Sequence, residues 1–168
     1  LDKLLDNLPY DLIPDQWGGI YFASTSYGSI LDHVVVRNGS SGITMTQADH
    51  EKSKLIIGNS QITNSDGYLF SAVNCNIEAY NTEFSNSGEA VVMLIGGRYS
   101  FTHCTLANNF AFGARTVPTL ILSNNLTNAE NKVVLYPLQK ADFQNCIIDG
   151  NLSNGELALY YQQGTSQD

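Results

Sequence analysis

Chemistry in this chain has to begin with its carboxylates: 16 Asp and Glu stand against 8 Lys and Arg, a net charge of −8. Hydrolysis of a glycosidic bond needs two carboxylates facing one groove about 5 to 10 Å apart. With the apolar runs at Tyr68 and Val91 aligned, Asp66 and Glu89 fall on consecutive strands about 5 Å apart. They are the catalytic candidates, since two like charges that close raise one pKa or attract a cation such as Ca²⁺. Both also lie in turns, where acidic side chains ordinarily face solvent. The other acids do not pair: Glu78 and Asp142 share a repeat position three turns apart, about 14 Å at the strand spacing. Asp32, Glu83 and Asp149 occupy different positions.

The remaining reactive side chains are accounted for by structure more readily than by catalysis. His33 and His103 share a turn position with Asn59, Asn81, Ser123 and Asn145, three turns apart, and cannot share a metal. No Ser/His/Asp set, zinc spacing or phosphate-cradling glycine loop is present. Of the three cysteines, Cys104 and Cys146 share a position two turns apart, about 10 Å, beyond the roughly 7 Å a disulfide spans. Sugar binding without catalysis would use aromatic faces and planar polar groups on an outward strand surface. Tyr21, Tyr80 and Glu83 are the candidates for it, with Gln61, Thr105 and Asn125 in the column of Glu83.

What must position these residues is a repeat. Asn59-Ser60-Gln61-Ile62-Thr63-Asn64 returns around the apolar anchors Val36, Ile62, Phe84, Leu106, Leu126 and Ile148, spaced 26, 22, 22, 20 and 22 residues. Asn38, Asn64, Asn86, Asn108 and Asn128 follow the first five anchors by two positions, and the chain holds 17 asparagines in all. A period in the twenties implies a solenoid whose units bury their apolar faces against one another. Val, Ile, Thr, Asn, Ser and Gly favour strands and turns over the helical segment of a leucine-rich repeat. Upstream of the anchors, Leu31, Ile57, Ala79, Phe101, Ile121 and Phe143 form one column, and Ser29, Leu55, Ile77, Tyr99, Thr119 and Ala141 another, as a half-buried strand requires. The expected architecture is all-β, six to seven coils of three short strands.

These residues resemble the single-stranded right-handed parallel β-helix of the pectin-lyase-like superfamily. The resemblance implies that Asn38, Asn64, Asn86, Asn108 and Asn128 form an internal asparagine ladder. Trp17-Gly18-Gly19-Ile20-Tyr21-Phe22 resembles the opening coil of β-helix proteins exported by bacteria, which implies a surface, periplasmic or extracellular location and an export signal upstream of Leu1. Lyases of the superfamily set a Ca²⁺-binding acidic cluster beside an Arg or Lys base. No position here matches a catalytic motif of that kind: no trio of acids stacks, and Arg37 and Arg98 stand isolated.

By length the chain is one domain. We expect the β-helix over 17–159, a polar tail over 160–168, and over 1–16 a short helix covering the coil stack, since Leu1, Leu4, Leu5 and Leu8 fall at helical spacing before Pro9. The acidic balance argues against nucleic acid and against an anionic membrane surface. The longest apolar run, 90–95, is too short to span a bilayer. Excursions at 46–53, 109–119 and 129–140 project from the scaffold, where function concentrates. Three functions follow: binding of polysaccharide or another envelope partner without catalysis, a polysaccharide lyase or hydrolase using Asp66 and Glu89, or a structural spacer. No cofactor is required unless Ca²⁺ binds at the acidic pair. Open coil ends would pack on the rest of a longer chain or on another chain.

Overall fold

The structure is a computed structural model that describes residues 3–5, 8–9 and 12–163, the first two stretches by backbone alone. Where leucine spacing suggested a helix, the described backbone forms two short antiparallel strands, Lys3–Leu5 (β1) and Leu8–Pro9 (β2). Proline at 9 deprives a helix of a donor, and a segment this short cannot nucleate one without tertiary support. Of the rest of that segment, 1–2, 6–7 and 10–11 lie outside the described residues, and 12–16 hold bends and a single 3₁₀ position with no α-helix.

From residue 20 onward the chain winds as a parallel solenoid with three faces. Sheet S1 stacks Ile20–Phe22 (β3), Ile43–Met45 (β6), Phe70–Val73 (β9), Val92–Ile95 (β12), Leu120–Ser123 (β15) and Leu157–Tyr160 (β20). Sheet S2 stacks Ser29–Asp32 (β4), Leu55–Gly58 (β7), Asn76–Tyr80 (β10), Gly97–Thr102 (β13) and Leu138–Gln144 (β18). Sheet S3 stacks Val35–Arg37 (β5), Gln61–Ser65 (β8), Glu83–Ser87 (β11), Thr105–Asn108 (β14) and Ile147–Gly150 (β19). Among the described residues this makes five complete turns and the first strand of another, fewer than the sequence count.

The missing turn is the one built on Leu126. Leu106 pairs directly with Ile148, and Leu126 belongs instead to an antiparallel hairpin, Asn125–Thr127 (β16) with Val133–Leu135 (β17). The hairpin turn is closed by Asn128, whose Oδ1 accepts from the N–H groups of Glu130 and Lys132. An apolar residue followed two places later by Asn marks any strand that ends in an asparagine turn, so the motif does not separate a coil from an excursion. Likewise Ile121 and Thr119 leave the S2 columns: Ile121 pairs with Met93 in S1, while Phe101 pairs with Phe143 and Tyr99 with Ala141.

The interior follows from stacked columns. Val36, Ile62, Phe84 and Leu106 form a buried line on S3, and Ile43, Phe70, Val92 and Leu120 one on S1. Aromatic rings fill the middle: Phe70 and Phe84 lie 5.1 Å apart edge to face, and Phe101 stacks on Phe143 at 4.9 Å. Burial fades at the last turn, where Leu157 and Leu159 of β20 are exposed.

Of the asparagine ladder expected on Asn38, Asn64, Asn86, Asn108 and Asn128, the described residues show a bond between ladder side chains from Asn64 Nδ2 to Asn38 Oδ1 at 2.9 Å. Asn86 accepts from the backbone of Asn109, and buried Asn108 bonds the backbone of Ser87 and Glu89. A second chain of side chains runs through the S2–S3 turns. There Asn81 donates to Asn59 and Asn59 to Asp32, at residues whose positive φ recurs at His33, Asn59, Asn81, His103 and Asn145. Asparagine and histidine are over-represented in that left-handed region, which explains the shared column.

Candidate functional site

The residues singled out for sugar binding are not brought together. Tyr21 faces outward on S1, Tyr80 lies on S2 with its ring over Gly58, and Glu83 lies on S3, hydrogen-bonded by Ser85 Oγ at 2.7 Å. One of them, Tyr21, lines a shallow, open cleft. Two S1–S2 connections, 23–28 and 46–54, leave adjacent turns at the same corner of the coil and enclose an open cleft of about 670 Å³. Its lining includes Tyr21, Thr25, Tyr27, Thr46, Gln47 and Asp49.

Local bonding holds both loops in place. Tyr21 Oη donates to Thr46 Oγ1 at 3.2 Å, and Tyr27 Oη accepts from the N–H of Asp49 at 3.0 Å. Lys54 is 0% exposed, yet its ammonium meets no described carboxylate; it donates to the carbonyls of Ala23 and Ser26 and sits 5.0 Å from the Tyr27 ring centroid. Backbone oxygens and an aromatic face thereby replace the water that a buried ammonium loses. The amide of Asn74 ties the second loop down through the carbonyl of Ala48, and Tyr136 Oη donates to Gln47 Oε1.

The cleft's acid is poorly suited to proton donation. The N–H of Glu51 and then Lys52 hold the Asp49 carboxyl below the usual carboxylate range. Glu51, next along, is held between His50 and Arg98 at 3.2 Å each. What the cleft presents is the exposed ring of Tyr21, hydroxyls, a planar amide and an ionised carboxylate, with the Tyr27 ring held under Lys52 and Lys54. Groups of this kind can exchange hydrogen bonds with a hydroxyl-rich ligand and cover the apolar side of its ring.

The acidic pair of the sequence reading changes with the register. Ser65 pairs with Ser87 and Phe70 with Val92, so Asp66 stands opposite Gly88, one residue out of step with Glu89. The two lie on the S3–S1 turns, with Asp66 exposed and Glu89 half-buried. Among the described residues no three His, Cys, Asp or Glu gather as a metal would require. Glu78 and Asp142 come closer than the repeat count implied, two strand steps apart across Ser100 and so about 10 Å by backbone. Asp142 is paired with Lys140 at 3.4 Å on an open strand face.

Cys104 and Cys146 also move. Thr105 pairs with Ile147, which puts the two thiols on consecutive turns rather than two apart. All three cysteines are free. Among the described residues no helix is long and apolar enough to cross a membrane.

What the sequence reading missed is the role of excursion 109–119, whose Phe110 and Phe112 wall a second groove against S3. Its fixing point is Arg115, 2% exposed at the side chain, which meets Glu156 through both terminal nitrogens at 2.7 and 2.8 Å. Forty-one residues separate the pair, and no local pattern announces it. No curated protein and no solved structure matches the chain. The family of the right-handed β-helix region matches residues 15–166, the whole of the solenoid just described, and the chain belongs to that family.

Proposed function

We propose that this chain is a non-catalytic β-helix domain that holds polysaccharide in the cleft between loops 23–28 and 46–54. The observation that carries the proposal is the cleft's lining, in which Tyr21, 64% exposed, offers a ring face beside Thr25, Thr46, Gln47 and Asp49. Aromatic faces take the apolar side of a sugar ring, and planar polar groups fix its hydroxyls. Asp49 and the net charge of −8 favour a neutral glycan over a polyuronate. On this reading the domain works outside the cytoplasm of a bacterium, against envelope or environmental polysaccharide.

A glycan array followed by calorimetry tests it. Neutral oligosaccharides are retained, and Tyr21→Ala weakens binding by about three- to tenfold, the worth of an aromatic contact. A protein that retains no glycan is a spacer and sinks the proposal. Shortened or unsaturated product, formed by the wild type and lost in Asp66→Asn or Glu89→Gln, would replace it with the enzymatic reading.

A further inference from the structure

Arg37 is the odd cation. Seven of the eight Lys and Arg have described side chains, all but Lys3, and six of the seven are occupied. Lys52, Arg98, Arg115, Lys132 and Lys140 each meet a carboxylate, and Lys54 meets two carbonyls. Arg37, exposed at the end of β5, forms no ion pair with any described carboxylate. In a chain this acidic, one guanidinium left open beside a groove is a place for an anion.

The groove occupies the S3–S1 corner and holds about 370 Å³, the lower range of small-molecule sites. Its groups change in order along the coil axis. Arg37 stands at the first turn. Asn64, on the second, spends its Nδ2 on Asn38 Oδ1 and the carbonyl of Leu12, which leaves Oδ1 as an acceptor. Asn86, on the third, accepts from the N–H of Asn109 through Oδ1, which leaves Nδ2 as a donor. Phe110 and Phe112 close the far end, their rings 5.8 Å apart. Each step along the coil is about 4.8 Å, so cation, acceptor, donor and aromatic wall follow one another over roughly 14 Å.

The far wall is built in advance. Phe110 is buried against Gly88, where an added Cβ would lie 3.3 Å from its Cε1. Arg115 and Glu156 fasten the same excursion from beneath.

We propose that this groove binds a carboxylate joined through an amide to an apolar group: an acylated amino acid, free or as the carboxy-terminal end of a peptide. The carboxylate meets Arg37, the ligand's N–H meets Asn64 Oδ1, its carbonyl accepts from Asn86 Nδ2, and the acyl group lies against Phe112. Guanidinium and carboxylate match in geometry as well as charge. The site is at a different corner of the coil from the tyrosine cleft, and the two proposals stand or fall separately.

The probes are N-benzoylglycine, its uncharged amide, acetyl-Phe-Gly and galacturonate, titrated by calorimetry. N-Benzoylglycine should bind at least about tenfold more tightly than its amide, the worth of a charge-assisted bond. Arg37→Met should abolish that difference, and Phe112→Ala should weaken acid and amide alike. Both side chains are exposed, so an unchanged unfolding midpoint shows that the variants fold. Acetyl-Phe-Gly binding more tightly than N-benzoylglycine assigns a peptide terminus, and weaker binding a free acylated amino acid. Equal affinity for acid and amide, undiminished binding by Arg37→Met, galacturonate binding as tightly as N-benzoylglycine, or no binding of any carboxylate would each overturn the proposal.

Discussion

Glu156→Gln is the substitution from which most is to be learned. The Glu156 carboxylate receives two bonds from Arg115, two from the N–H and hydroxyl of Thr119, and one from the N–H of Leu152. Burial by itself pushes this carboxyl up, but Arg115, then the Leu152 N–H and Thr119, outweigh it and hold it at about 2, against an ordinary 4.5. At 1.36 kcal/mol per unit the depression is worth about 3 kcal/mol, nearer 2 once the solvent reaching its edge is allowed for. A depressed acid stabilises the fold fully above its unfolded value and loses that contribution as pH falls through its folded one. Glu156→Gln should therefore unfold in urea at pH 7 with about 2 to 3 kcal/mol less stability. In a chain of this length that is a midpoint roughly 5 to 10 °C lower. The gap between wild type and variant should hold down to about pH 4.5 and close toward pH 2. A gap below about 0.5 kcal/mol at pH 7, or one that does not narrow on acidification, would refute the reasoning.

The corrected turn count is tested by a pair of truncations. Leu106→Ala should cost about 2 to 5 kcal/mol as a core cavity, while Leu126→Ala, on the exposed hairpin, should cost under about 1. Phe84→Ala, which removes a ring 5.1 Å from Phe70 and 5.8 Å from Phe101, should cost about 3 to 5 kcal/mol in the same urea assay. Burial pushes the Cys75 and Cys104 thiols up to about 11, so at pH 8 a thiol reagent should modify half-buried Cys146 first and reach all three only on unfolding. Gly97→Ala should lower the unfolding midpoint sharply, because φ is +81° there and the carbonyl of Cys75 occupies the Cβ position.

The S2 and S3 columns were legible because side chains alternate with period two and equivalent residues stack turn upon turn. Ile57 over Ala79 over Phe101 is the same statement in sequence and in space. S1 was less so. From Asn38 to Ile43 is five residues, but from Asn64 to Phe70 and from Asn86 to Val92 is six, so the turn into S1 varies and the register slips. Matching the apolar runs by their first residues, Tyr68 with Val91, where the strands pair Phe70 with Val92, is what made Asp66 and Glu89 face each other. Of the binding candidates, Tyr80 follows from the column phase as outward and is exposed, and Tyr21, on the run whose phase is less regular, is exposed too. Half of the cleft around Tyr21 comes from a loop 25 residues away, and Tyr80 and Glu83 fell on other faces because strand phase says in or out without saying which sheet.

The sequence by itself determined a parallel solenoid of short strands with left-handed asparagine turns. Those features rest on local preferences and on a period that every turn repeats. Tertiary structure alone decided how many turns there are, which cysteines are neighbours and which loops share a cleft. Excursions carry no periodicity, and their positions depend on single long-range contacts. Arg115 on Glu156 and Lys54 on the carbonyls of Ala23 and Ser26 are such contacts, favourable only once the coil has already brought the partners together.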